Sequence, residues 1–137
     1  MLRQKIDKYF EKPVTFDEKQ IASLIDTMTS AIMAGNLQNL MSVISESARI
    51  AAAADDKRVF NKKEFEEHMT VLIPMVKHFS CFDIYIRTDG KNGTISCLAH
   101  TVLKNGFSKT ISRYFQCQKE SGKWLLTEAG YTNPLYE

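Results

Sequence analysis

This chain lacks most of what would announce a chemistry. Its three cysteines, Cys81, Cys97 and Cys117, form an odd set without C-x-x-C spacing. That excludes a disulfide scaffold and a thiolate zinc site, and it suits small buried apolar groups in a reducing compartment. Histidine is equally scarce. His68 and His78 are ten residues apart with no partner cluster, so no metal ligand set and no metal cofactor are expected. There is no Walker loop, G-x-S-x-G or H-E-x-x-H. No charge of either sign dominates, because 18 basic residues face 16 acidic ones for a net charge of +2. Nothing in that balance points to nucleic acid. No apolar run approaches the ~20 residues that cross a bilayer. The opening MLRQKIDKYFEK is charged and without an apolar segment, so no signal peptide or membrane partner is expected and the cytoplasm is the default location.

What is present belongs to an ordinary globular domain, 44% apolar and 25% charged. At 137 residues it can bury roughly two-thirds of its unfolded surface without staples. Leu2, Ile6, Tyr9 and Phe10 suit a short helix that Pro13 ends, within an N-terminal arm over residues 1–16. Asp17 can cap a longer helix whose stripe is Ile21, Leu24, Ile25, Met28, Ala31 and Ile32. Gly35 then suits a left-handed helix end, Asn36 a new cap, and Leu37, Leu40, Met41 and Ile44 a second, short helix. Ala48 to Ala53 reads as a strand, and Asn61 with Glu64 as the capping box of a third helix carrying Phe65, Met69, Leu72, Ile73 and Val76. Pro74 limits that helix and His78 ends it. From Phe79 the period becomes two, and four strands follow over 79–88, 94–103, 108–119 and 123–132. Their turn signals are Asp89–Gly93, Asn105-Gly106 and Ser121-Gly122. Helices first and then an antiparallel meander give an α+β domain over 17–132, with a tail at 133–137.

Four stretches carry a resemblance to a known family. They are Ala34-Gly35-Asn36-Leu37 with Leu40, Ser47-Ala48-Arg49-Ile50, Asn61-Lys62-Lys63-Glu64-Phe65, and Ser121-Gly122-Lys123-Trp124-Leu125-Leu126. In this order and spacing they resemble the nuclear transport factor 2-like superfamily, also called SnoaL-like or cystatin-like. The resemblance implies N-terminal helices packed on a strongly curved, mainly antiparallel sheet, forming a cone with an internal pocket. It also implies a homodimer through the outer sheet face. Members include ketosteroid isomerase, scytalone dehydratase and polyketide cyclases beside adaptor and binding domains, so the fold leaves the function open.

Isomerase chemistry needs a carboxylate base and acidic hydrogen-bond donors. Aligned on Gly35, the resemblance puts the tyrosine donor at Met28, the base at Ala52 and the second donor near Tyr114 or Phe115. Met28 and Ala52 can do neither job, so that activity is not expected.

Pairing Thr88 with Gly93 puts Phe82, Ile84 and Ile86 on one face with Ile95, Cys97 and Ala99, which should look toward the helices. A two-residue Asn105-Gly106 turn would add Thr101, Ser112, Tyr114 and Gln116 to that inner face. Thr101, Cys97, Ser112, Tyr114, Gln116 and Met28 are then the candidate ligand-binding residues. Leu98, Val102, Ile111 and Phe115 would lie outside with Cys81, Asp83, Tyr85, His100 and Arg113. Asp83 and His100 would sit diagonally, as an acid–base dyad or as an interface pair. A bulge at Asn105-Gly106 or Ser121-Gly122 would exchange the two faces. The leading expectation is a non-catalytic domain holding a small apolar ligand. The alternatives are a small lyase or isomerase using Tyr114 or His100, and a protein-binding adaptor.

Overall fold

The computed structural model describes residues 15–53 and 56–131. The short helix expected over 1–13 and the tail 133–137 lie outside the described residues. Helix α1 (Phe16–Ala34) opens at Thr15, two residues ahead of the cap that Asp17 suggested. Thr15 accepts from the Glu18 amide while the Glu18 side chain returns to the Thr15 amide, so two otherwise orphaned donors are satisfied at once. The helix ends where Gly35 takes φ 70°, the left-handed geometry that a side chain resists. Asn36 then caps α2 (Leu37–Met41) through the Asn39 amide.

Strand β1 (Ile44–Ala53) is followed by β2 (Asp56–Phe60), an edge strand that charge patterning had concealed. Lys57 and Arg58 are exposed along it, which protects an open edge from further pairing. Helix α3 (Lys62–Leu72) starts at the Asn61–Glu64 capping box and tightens into a 3-10 turn, Ile73–Met75, at Pro74. Strand β3 (Val76–Thr88) begins earlier than expected, so Val76 and His78 belong to the sheet and not to α3. Strands β4 (Asn92–Leu103), β5 (Ser108–Glu120) and β6 (Lys123–Tyr131) complete a six-stranded sheet in the order β2-β1-β6-β5-β4-β3. Only β1 and β6 run parallel. The sheet is curved and open.

Helix α1 lies against the inner face of the sheet, and Gly93 on β4 lets it come close. A Cβ there would fall 2.8 Å from both Ile21 Cδ1 and Cys117 Sγ. The stripe expected on α1 is the buried one, from Ile21 to Ile32. Among the described residues no helix is long and apolar enough to cross a membrane.

Two irregularities decide which side chains look inward. The β4–β5 connection is a three-residue loop, Lys104-Asn105-Gly106, closed by the Leu103 amide on the Phe107 carbonyl at 2.8 Å. Gly106 adopts φ 95° and completes it. One residue more than a two-residue turn shifts the register by one, which sends every side chain of β5 to the opposite face. Phe115 therefore opposes Ile95, and Arg113 opposes Cys97, all on the inner face. Ser112, Tyr114 and Gln116 point outward. In β3 a bulge between Phe82 and Tyr85 has the same effect, with Asp83 at φ 53°. Ile86 faces inward as expected, but beyond the bulge Cys81 is on the inner face and Phe82 on the outer.

Candidate functional site

A cavity of about 160 Å³ lies between the inner face of the sheet and the helices. Met28 and Ile32 of α1, Phe65 and Met69 of α3, and Ile50 and Phe115 of the sheet supply its apolar wall. These are the same stripes that bury the core, and the cone leaves them incompletely filled where the sheet curves away. Thr101, Arg113, Tyr131 and His68 bring polar groups to its boundary, and Glu128 lines it while its carboxylate is held by Tyr114 on the outer face. His68 is exposed and its ring centre lies 5.0 Å from that of Phe60, so its role at the boundary is partly that of a flat apolar surface.

Arg113 is the cation of this wall. Its side chain projects inward between its cross-strand neighbours Cys97 and Tyr131. The guanidinium carbon lies 4.2 Å from the centre of the Tyr131 ring and 5.3 Å from that of Phe115, within reach of both π faces. Nε donates to the Gly130 carbonyl at 3.4 Å. Among the described residues no carboxylate pairs with it.

Behind Arg113 lie two free thiols. A hydrogen bond from Cys97 holds the Cys81 thiol below its ordinary pKa against the opposing effect of burial, and the charge of Arg113 acts in the same direction. Cys97, as donor and buried, is pushed up. Burial alone raises Cys117 to about 12. Among the described residues no group of three or more His, Cys, Asp or Glu is arranged to hold a metal ion.

The residues expected at the site divide into two sets. Met28 and Thr101 line the cavity, and Cys97 is buried on the same face. Tyr114, Ser112 and Gln116 do not enter it, for the register reason given above. Tyr114 instead donates its hydroxyl to Glu128 Oε2 at 2.5 Å on the outer face. That bond is the main reason its pKa is raised, with burial and the carboxylate charge adding to it. His100 is also outside, its Nδ1 2.8 Å from Thr110 Oγ1 and its ring centre 6.1 Å from that of His78. Asp83 is exposed at the bulge, and no dyad with His100 forms. The two positions where the resemblance implied an isomerase donor and base, Met28 and Ala52, both line the cavity.

Arg113 and Tyr131 were missed as cavity residues, although a signal for Arg113 was present. Ile111, Phe115 and Cys117 alternate with Ser112, Gln116 and Gln118, so the strand's own amphipathic pattern puts Arg113 on its apolar side. A two-residue Asn105-Gly106 turn predicts the opposite face, and the three-residue loop restores the one that the strand's own pattern indicates.

No protein-family model matches the chain, and no curated protein matches it. Solved structures do. A protein of unknown function from Pseudomonas putida, described as NTF2-like, superposes with a TM-score of 0.76 at 14% identity, covering 88% of this chain and 89% of that one. A cystatin-like protein of unknown function from Nostoc punctiforme gives 0.71 at 12% identity, over 88% and 92% of the two chains. A candidate ketosteroid isomerase from Shewanella frigidimarina gives 0.66 at 10% identity, over 80% and 92%.

Proposed function

We propose that this chain, whose architecture is the nuclear transport factor 2-like, cystatin-like α+β cone, holds a small apolar ligand in the cone cavity without transforming it. The carrying observation is the cavity itself, whose wall has Met28 and Ala52 where the resemblance to the isomerase implies a proton donor and a base. A thioether and a methyl group can shape a ligand but cannot move its protons. Tyr114 and His100, the alternative proton carriers, are directed away from the cavity, which supports binding over lyase or isomerase chemistry. Size limits the ligand. An apolar cavity of about 150 Å³ is known to accept one benzene ring, so one ring or a short aliphatic chain fits here.

The test is stabilisation by mass action. A one-ring compound supplied at about 100 times its dissociation constant should raise the unfolding free energy by ~2.7 kcal/mol. Ketone, alcohol and ester compounds of that size recovered chemically unchanged after long incubation would support binding alone. No stabilisation by any of them would remove the ligand, and turnover would remove the non-enzyme reading.

The outer sheet face supports a homodimer as part of the same proposal. Phe82 is 41% exposed there, directly opposite Leu98. Sedimentation at micromolar concentration should show twice the chain mass of 15.6 kDa. A clean monomer would count against an interface of standard size.

A further inference from the structure

We infer that the ligand of this cavity carries an anionic head, a carboxylate in the first instance, and that Arg113 is the residue that reads it. The inference rests on the cavity-binding reading above and names the class of compound within it.

A guanidinium presents five N–H donors in a fixed fork, and one bond of 3.4 Å to the Gly130 carbonyl leaves most of them unused. The side chain is half-buried in a wall that is otherwise mainly apolar, where a cation is costly to leave without a partner. Its guanidinium carbon lies 4.2 Å from the centre of the Tyr131 ring and 5.3 Å from that of Phe115, contacts that limit its freedom before an acceptor arrives. Arginine fits a carboxylate through two parallel N–H···O bonds, and such a pair is both shorter and stronger than a neutral contact.

The other charged or titratable groups near Arg113 do not take that place. Cys97 lies directly across from it on β4, and Cys81 is beyond Cys97; neither thiol offers the two-oxygen acceptor that the fork matches. Among the described residues, Glu128 is the one carboxylate-bearing residue that lines the cavity. It shares a face with Gly130, two residues on, and its Oε2 is held by the Tyr114 hydroxyl on the outer side of the sheet. Arg113 shares the other face with Tyr131 and Phe115. His68 belongs to α3 and is exposed at the boundary, where it is a donor and not a competing anion when charged. Among the described residues the cavity therefore has an apolar end sized for one ring and one arginine, Arg113, at its wall. A one-ring or short-chain carboxylic acid matches both ends at once, whereas its neutral analogue matches only the apolar one.

The experiment uses benzoate and benzamide, which have the same ring and nearly the same shape but differ in charge. Each is titrated into the whole protein at neutral pH and low salt, and backbone amide shifts around Thr101 and residues 129–131 are followed. The wild type is expected to bind benzoate at least tenfold more tightly than benzamide. Arg113→Met is expected to abolish that preference by weakening benzoate alone. Equal affinities for the two compounds in the wild type would overturn the role of Arg113 while leaving the cavity reading in place. A preference that survives Arg113→Met would also overturn it. Binding of neither compound would overturn both readings. The wild-type comparison stands even if the variant does not fold.

Discussion

Tyr114 lies directly across from Gly130 on the outer face of the sheet, and its ring occupies the space that any larger residue at 130 would need. A Cβ on Gly130 would fall 2.5 Å from Tyr114 Cε1 and 2.9 Å from its hydroxyl oxygen. The pair is a cross-strand unit in which the aromatic ring covers bare backbone, and the hydroxyl is anchored on Glu128.

Gly130→Ala should therefore be costly for steric and not for conformational reasons, since Gly130 is not in the left-handed region. Displacing the ring from its anchor should cost about 1–3 kcal/mol, as overpacking does elsewhere. In a Tyr114→Ala background the same substitution should cost little. Urea denaturation of the four proteins in this cycle decides it, and strictly additive costs would show that the ring is not the obstacle.

The Tyr114 hydroxyl also gives the fold an alkaline dependence. Its folded-state pKa lies above the ordinary 10.0, chiefly through the bond to Glu128. A raised pKa means that the folded state favours the protonated phenol. The contribution is complete below pH 10 and is lost as pH rises through the folded value. Tyr114→Phe should flatten that part of the stability–pH curve and remove one late-titrating phenol from the absorbance titration. Identical curves for the two proteins above pH 10 would exclude the bond as its source.

Trp124, 4% exposed on β6, is a core residue. Its indole Nε1 is buried without a partner among the described residues, so its value lies in the ring and not in the N–H. Trp124→Ala should cost roughly 3–5 kcal/mol. Trp124→Phe, which keeps a ring and removes the orphaned donor, should cost distinctly less. A denaturation midpoint unmoved by Trp124→Ala would contradict the packing described here.

Among the cysteines, Cys81 should be alkylated first. It is partly exposed and held toward the thiolate by Cys97 and Arg113, whereas Cys97 and Cys117 are buried with raised values. Peptide mass spectrometry after brief iodoacetamide treatment reads the order directly. Arg113→Gln should slow the Cys81 reaction, and a faster reaction at Cys117 would contradict the assignment.

The sequence made the helices, several of their caps and the hairpin order legible, because those depend on local chemistry, whereas Ile44 and Val76, read as helical, begin strands. Gly35, Asn36, the Asn61–Glu64 box and the Ser121-Gly122 turn each act within a few residues of themselves. The faces of β5 and part of β3 were not legible in the same way. They depend on single-residue events, the third residue of the Lys104-Asn105-Gly106 loop and the bulge at Asp83, whose effects run the length of a strand. That is why Tyr114, Ser112 and Gln116 were expected inside the cone and Arg113 outside, when the reverse holds. Strand β2 was hidden for a different reason: an exposed edge strand needs no apolar alternation, and its charges read as solvated surface.

The central claim is that the cavity between helices and sheet is a ligand site, and methyl resonances test it most directly. Toluene titrated into protein with labelled isoleucine, valine and methionine methyl groups should shift Met28, Ile32, Ile50 and Met69 saturably, since all four line the cavity. Val59 and Val71, 44% and 69% exposed on the surface, should stay where they are. Saturable shifts confined to the first four are the expected result. Shifts spread evenly over all six, or none at any concentration, would contradict it.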